Sequence, residues 1–334
     1  MKLRMPSAIA VLFASLTAQA PPTYYNSINT TSAATLRQTL HTRIHDHTRI
    51  PYTATGTDTW VVLEQADQNP ANAGAILDLY KNSSYAKVGS GIGPYDREHS
   101  WPKSYGFPND VSTNYPYTDC HHLFLCDSVY NSTRSNRAYA TTNAAASERT
   151  TTLTNGVGGG AGIYPGNSNW TDAILTTGRW ETWGDRRGDV ARALFYLDVR
   201  YEGGTHGITG AAEPNLILTD DPALIAASNT GNNEAVGYMG LLSTLLQWHL
   251  QDPVDARELR RNDVVYSFQG NRNPFIDHPE WVACLFGTNC TGGGGSGTAP
   301  AAPQALTATP GNARVALDWA DNTEPDLEIG RAHV

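Results

Sequence analysis

The stretch YDREHSWPKSYG, residues 95–106, sets a carboxylate and an imidazole side by side at Glu98 and His99, with Arg97 and Lys103 close by. A Glu-His dipeptide alone is a weak signal, because neighbouring polar residues on an exposed strand commonly do nothing. A second stretch, YTDCHHLFLCDSVYNSTRSNRAYA, residues 117–140, adds His121, His122, Asn131 and Arg134. Together these types suit metal-assisted phosphodiester hydrolysis, which needs a base for water, a hard cation at the phosphate and leaving oxygen, and a further positive charge. A neutral imidazole such as His99 can take a proton near pH 7. Glu98 and Asn131 offer a carboxylate and an amide oxygen, ligands that magnesium accepts while keeping several waters. Arg134 or Arg97 can grip the phosphate through a planar fork.

The elements that must position these residues are partly readable. Cys120, His122, Phe124 and Cys126 alternate with His121, Leu123 and Leu125, the period of a strand. Asp127-Ser128 then caps a short polar helix on which Asn131 and Arg134, three residues apart, share a face. With Glu98-His99 on an earlier strand, the order is a ββα finger. Four further helices are expected. The first runs from Ala33 to His45, its polar end taking in HTRIHDHTR, residues 41–49. The second spans residues 186–201, with Val190, Leu194, Leu197 and Tyr201 on one stripe. The third spans residues 232–251, capped by Asn232 or Asn233, with Met239, Leu242, Leu246 and Leu250 in register. The fourth starts at Asp252-Pro253. The Gly, Ser, Thr and Asn content of residues 140–180 reads as loop. The fold class expected is an irregular, helix-rich α+β domain around the finger.

The chain of 334 residues can bury a sizeable core, and its formal charge of −9 counts against a protein that coats nucleic acid through a global basic surface. Residues 1–20 read as a secretory signal, with Lys2 and Arg4 before an apolar run and Ala18-Gln19-Ala20 after it. Pro21 directly after Ala20 argues for a cut a few residues away. No stretch approaches membrane length, so no membrane insertion is expected, and export to the periplasm or medium is. Cys120, Cys126, Cys284 and Cys290 fit an oxidising compartment, where four cysteines imply two disulfides of unreadable pairing. A zinc site from Cys120, His121, His122 and Cys126 is the weaker alternative, because adjacent residues of a strand point to opposite faces. Residues 21–290 are expected to form the catalytic domain. Residues 291–303 read as a Gly/Ser/Pro linker, and residues 304–327 resemble the first two strands of a fibronectin type III module cut short. The closing EIGRAHV, residues 328–334, reads as a sequencing artefact.

REHSWPKS followed by DCHHLFLCDSVYNSTRSNR resembles the bacterial secreted endonuclease I family, which are His-Me finger, or ββα-metal, nucleases. The likeness continues through RGDVARALFYLDVRY and QGNRNPFIDHPE and covers most of residues 24–286. The resemblance implies His99 as general base and Glu98 with Asn131 as holders of one magnesium ion, with manganese or calcium as substitutes. It further implies cutting of DNA, and often RNA, with little sequence preference and 5′-phosphate products; a monomer is expected. Leu125 stands where many members have Pro, and the chain is more acidic than a nuclease would suggest.

Lys103, His121, His122 and Arg272 are the residues expected at the substrate. For His121 and His122 an equal alternative is a structural partnership with Asp119, since buried imidazoles need acceptors. Arg272 lies in the turn-like QGNRNPF, and Asp277 with Glu280 in DHPE reads as a capping box. Two rival functions stay open at this level. A zinc hydrolase acting on peptides would need three close ligands, and no H-E-x-x-H occurs. A surface binding protein without turnover would fit the fibronectin-like tail.

Overall fold

The computed structural model describes residues 20–89, 93–172, 178–287, 290, 304–311 and 314–320. The chain divides after Cys290 into two units. In the larger one, helix α1 (Ala33–Ile44) starts at Ser32, whose hydroxyl accepts from the Thr35 amide while the Thr35 hydroxyl accepts from the Ser32 amide in a capping box, and it buries Leu36, Leu40 and Ile44. Helix α2 (Thr59–Ala66) is capped by Asp58. Strands β1 (Gln68–Asn69), β2 (Asn72–Leu77) and β3 (Ser84–Ala86) form an antiparallel meander.

The finger follows. Strands β4 (Tyr95–His99) and β5 (Leu123–Asp127) pair antiparallel, with Glu98 opposite Phe124 and His99 opposite Leu123. Helix α3 (Ser128–Arg134) follows at once, because the Asp127 carboxylate accepts from the Val129 and Tyr130 amides and so stops the strand while starting the helix.

Residues 140–180 are not plain loop. Strands β6 (Ala138–Tyr139), β7 (Ser147–Arg149), β8 (Asn169–Thr171) and β9 (Arg179–Glu181) make a four-stranded sheet in the order β6-β9-β8-β7. The strands are too short to carry a readable alternation.

Helix α4 (Arg187–Arg200) matches the expected amphipathic segment but is buried on every side, not on one stripe. Its charged residues are paired, as burial requires. Arg192 meets Glu258 at 2.7 Å, Arg200 meets Glu213 at 2.7 Å and Asp198 meets Arg37 at 2.6 Å.

The expected helix over residues 232–251 is two elements. Strand β10 (Asn215–Leu218) is followed by helix α5 (Pro222–Ala227), and strand β11 (Val236–Met239) returns to pair parallel with β10. Only helix α6 (Leu242–Gln251) remains helical. It buries Leu245 and Trp248, leaving Leu250 79% exposed, so the stripe drawn through Met239 and Leu250 is not the buried face. Gly240 separates the two, and the β10 partner satisfies the backbone of Val236–Met239 as a ladder instead of a helix.

Helix α7 (Ala256–Gln269) is capped by Asp255 in a box with Glu258, not by Asp252, whose Oδ2 accepts from the Gly188 amide. Gly270, at φ +78°, ends it in the left-handed conformation that glycine tolerates. Helix α8 (Pro274–Asp277) and helix α9 (Trp281–Phe286) complete the unit. The capping box expected in DHPE is absent there: Asp277 closes α8 and binds Arg272, while Glu280 pairs with His278.

One disulfide, Cys284–Cys290, forms, and Cys120 and Cys126 are buried free thiols, so the expected second bridge is replaced by packing. The two thiols belong to different apolar clusters, Cys120 with Trp60 and Leu63, Cys126 with Phe124 and Tyr139. The mixture of helices and short sheets is an α+β fold. Among the described residues no helix is long and apolar enough to cross a membrane.

In the smaller unit strands β12 (Gln304–Gly311) and β13 (Arg314–Ala320) pair antiparallel. The signal segment up to residue 19, the linker 291–303 and the terminal residues 328–334 lie outside the described residues.

Candidate active site

Successive side chains of a strand point to opposite faces, so β4 sends Glu98 and His99 to different surroundings. Glu98 faces α3. Its Oε1 accepts from Arg134 Nη1 at 3.0 Å and from the Tyr80 hydroxyl at 2.8 Å. Arg134 also donates to the carbonyls of His99, at 2.9 Å, and Ser100, at 2.8 Å, and so ties the end of β4 to the last turn of α3. Behind Tyr80 stands Tyr139, hydroxyl to hydroxyl at 2.6 Å. Glu98 Oε2 makes no hydrogen bond among the described residues. Burial pushes the Glu98 carboxyl up to about 7, against the pull of Arg134 and Tyr80.

His99 is 7% exposed and sits on the other face. Its Nε2 lies 2.9 Å from the Tyr117 carbonyl. A carbonyl only accepts, so Nε2 carries the proton and Nδ1 the lone pair. Burial, aided by the neighbouring His122, holds the imidazole well below its usual pKa and keeps it neutral. Tyr52 stacks beside it at 5.9 Å between ring centres, and Tyr117 lies at 5.1 Å. Asn131 is half-buried on α3, three residues before Arg134 and therefore on the same helix face; its side-chain amide has no hydrogen bond among the described residues.

The other expected residues divide sharply. Lys103 is exposed, and its ammonium donates to the Tyr117 hydroxyl at 2.9 Å, beside His99. Arg97 lies over the Tyr52 ring at 3.3 Å and the Trp60 ring at 4.3 Å, and donates to the Tyr52 carbonyl and to Thr59 Oγ1. It braces the segment that carries Tyr52 and points away from Glu98. Arg134 is wholly buried under the finger, so it holds Glu98 and presents no donor to a phosphate.

His121, His122 and Arg272 face inward, which corrects the expectation of substrate contact. His121 Nε2 meets the Asn271 carbonyl at 3.0 Å, and His122 Nε2 meets the Pro116 carbonyl at 2.7 Å. Neither ring is held by Asp119, which instead accepts from the hydroxyls of Tyr196 at 2.8 Å and Tyr201 at 3.0 Å and from Gln269. Arg272 is clamped between Asp263 at 2.6 Å and Asp277 at 2.7 Å. Among the described residues no three His, Cys, Asp or Glu side chains converge as a metal cage, so the zinc grouping of Cys120, His121, His122 and Cys126 does not assemble.

Sequence reasoning missed Tyr80, Tyr139, Tyr117 and Tyr52. Tyr80 lies in a turn 18 residues before Glu98, and Tyr117 acts through its carbonyl, so neither leaves a mark in the pattern of residue types.

On a ββα finger braced by an arginine, a buried carboxylate on one face of β4 is thus followed by a neutral histidine on the other. The Endonuclease I family model matches residues 32–280. An extracellular ribonuclease of Bacillus amyloliquefaciens is 38% identical over 263 residues, covering 78% of this chain and 76% of that protein. An extracellular ribonuclease of Bacillus subtilis (strain 168) is 38% identical over 277 residues, covering 80% and 81%. The chain belongs to the endonuclease I family and is a nuclease acting on phosphodiesters.

Proposed function

We propose that this protein is a secreted, magnesium-dependent endonuclease of low sequence preference that cuts RNA and DNA and leaves 5′-phosphates. The observation that carries the reading is the orientation of His99, whose Nε2–H is fixed by the Tyr117 carbonyl so that Nδ1 is left as a neutral base. Its Nδ1 takes the proton of the attacking water as the new oxygen–phosphorus bond forms and the bond to the 3′-oxygen breaks. The donor set fits a hard cation: Glu98 is a buried side chain whose Oε2 has no hydrogen bond among the described residues, and Asn131 supplies an amide oxygen from the same face of α3 as Arg134. When bound, magnesium supplies positive charge at the phosphate and at the leaving oxygen.

Attack by water makes no demand on a 2′-hydroxyl, which fits both nucleic acids. The ribonuclease names of the two Bacillus relatives support RNA as a substrate, and the word extracellular in those names supports export. Low sequence preference follows if contacts go to phosphate and sugar, with Lys103 an exposed cation near His99. A monomer suffices, because Glu98, His99, Asn131 and Lys103 all come from one chain.

The test is cleavage of supercoiled plasmid and of a single-stranded RNA by the wild-type protein and by His99→Ala, in magnesium and in EDTA. Cutting of both substrates in magnesium, lost in EDTA and reduced by about 100- to 10,000-fold in the variant, is the expected result. Undiminished cutting by His99→Ala, or cutting in EDTA, overturns the mechanism.

A further inference from the structure

The two oxygens of Glu98 are unequally engaged. Oε1 carries both hydrogen bonds, from Tyr80 and Arg134, while Oε2 carries none among the described residues. The two donors come from different parts of the fold: Arg134 from the last turn of α3, Tyr80 from the turn after β2. One donor would leave the carboxylate free to swing about its last torsion; two converging donors fix its plane.

Tyr80 is itself fixed. Its carbonyl accepts from Asn169 Nδ2 at 2.8 Å, its ring lies 4.9 Å from that of Trp180, and its hydroxyl meets that of Tyr139. A phenol has one proton. Since Tyr80 donates it to a carboxylate oxygen, the 2.6 Å contact is donated by Tyr139, giving the relay Tyr139 to Tyr80 to Glu98. Both tyrosines are fully buried.

We infer that Tyr80, backed by Tyr139, is a positioning residue that turns Oε2 of Glu98 toward the cation. The inference rests on the proposed role of Glu98 as a metal ligand and adds the groups that orient it. Partners behind a metal ligand commonly set affinity by one to two decades, because they limit the orientations that the ligand samples.

The experiment is titration of the full-length protein with manganese(II), followed by calorimetry and by the loss of the free-ion electron paramagnetic resonance signal. Wild type is compared with Glu98→Gln, Tyr80→Phe and the double variant Tyr80→Phe/Tyr139→Phe, each with its melting temperature in EDTA. Tyr80→Phe alone leaves the Tyr139 hydroxyl buried without its acceptor and so weakens the fold as well, whereas the double variant removes both polar groups.

The expected result is manganese affinity reduced about 10- to 100-fold in both tyrosine variants. The melting temperature should recover in the double variant while the affinity does not. Affinity that returns with the melting temperature reduces the pair to a packing role and overturns the inference. So does affinity at the wild-type level in both tyrosine variants while Glu98→Gln has lost it. If Glu98→Gln binds manganese as wild type does, the metal role of Glu98 falls, and the inference falls with it.

Discussion

Arg134 Nη1 stands 3.0 Å from Glu98 Oε1 and 2.9 Å from the carbonyl oxygen of His99, so one guanidinium holds both the carboxylate and the backbone of the residue that follows it. The pair is out of solvent on both sides. Sequence reasoning gave Arg134 the task of meeting phosphate; its place in the structure is to join the two halves of the finger.

Removing that guanidinium should therefore damage the fold before it damages chemistry. Arg134→Met leaves a buried carboxylate without its charge partner, and breaking such a pair typically costs about 3–5 kcal/mol. The variant should show a lowered urea midpoint in EDTA, and adding Glu98→Gln should recover part of the loss. A midpoint unchanged by Arg134→Met would mean that the ion pair contributes nothing to the join.

Lys103, proposed to meet phosphate, is exposed, and its ammonium stands beside Tyr117, whose carbonyl fixes His99. Lys103→Ala should raise KM several-fold with little change in kcat. It should also flatten the dependence of log KM on log salt by about one, the share of a single phosphate contact. A fall in kcat at constant KM would instead place Lys103 in the chemical step.

The finger was legible because its parts are close in sequence. The alternation over residues 120–126 overlaps β5, though residues 120–122 form a turn before it and all of β5 is buried; Asp127 marks the change to helix, and the Glu98-His99 pair marks β4. The hydrogen-bond partners behind Glu98 were not legible. Tyr80 reaches Glu98, and Tyr139 reaches Tyr80, across the fold, and nothing in a tyrosine's neighbours says where its hydroxyl ends. The opposite error befell His121, His122 and Arg272, whose types suit phosphate but whose positions are inside; residue type carries chemistry, not orientation. Met239 was misplaced because four apolar residues of a strand and the next helix happened to share helical spacing.

Thiol chemistry should distinguish one bridge from two. Burial pushes the thiols of Cys120 and Cys126 far above their usual pKa and keeps them from reagents. The native protein should show no thiol reactive to a disulfide reagent, and the denatured, unreduced protein should show two. None after denaturation would mean that Cys120 and Cys126 are bridged. Cys284→Ser/Cys290→Ser, which opens a loop of sequence separation 6, should cost about 2 kcal/mol by chain entropy.

His47 should make stability depend on pH. Arg200 Nε donates to its Nδ1 at 3.0 Å, so that nitrogen must stay unprotonated, and Nε2–H points toward Asp119 at 3.8 Å, with His121 and His206 near. Burial, together with Arg200 and despite the attraction of Asp119, lowers its pKa from 6.5 to about 3. Between those values the unfolded chain binds a proton that the folded chain refuses. The contribution of the neutral ring is therefore full above about pH 6.5 and is lost as the pH falls toward 3. In His47→Gln the amide can still accept from Arg200 but has no proton to refuse. Relative to wild type, the variant should gain on the order of 2 kcal/mol between neutral pH and about pH 5. Chemical denaturation of both proteins at the two pH values measures the difference directly, and parallel losses on acidification would show that His47 takes up its proton in the fold as readily as in the unfolded chain.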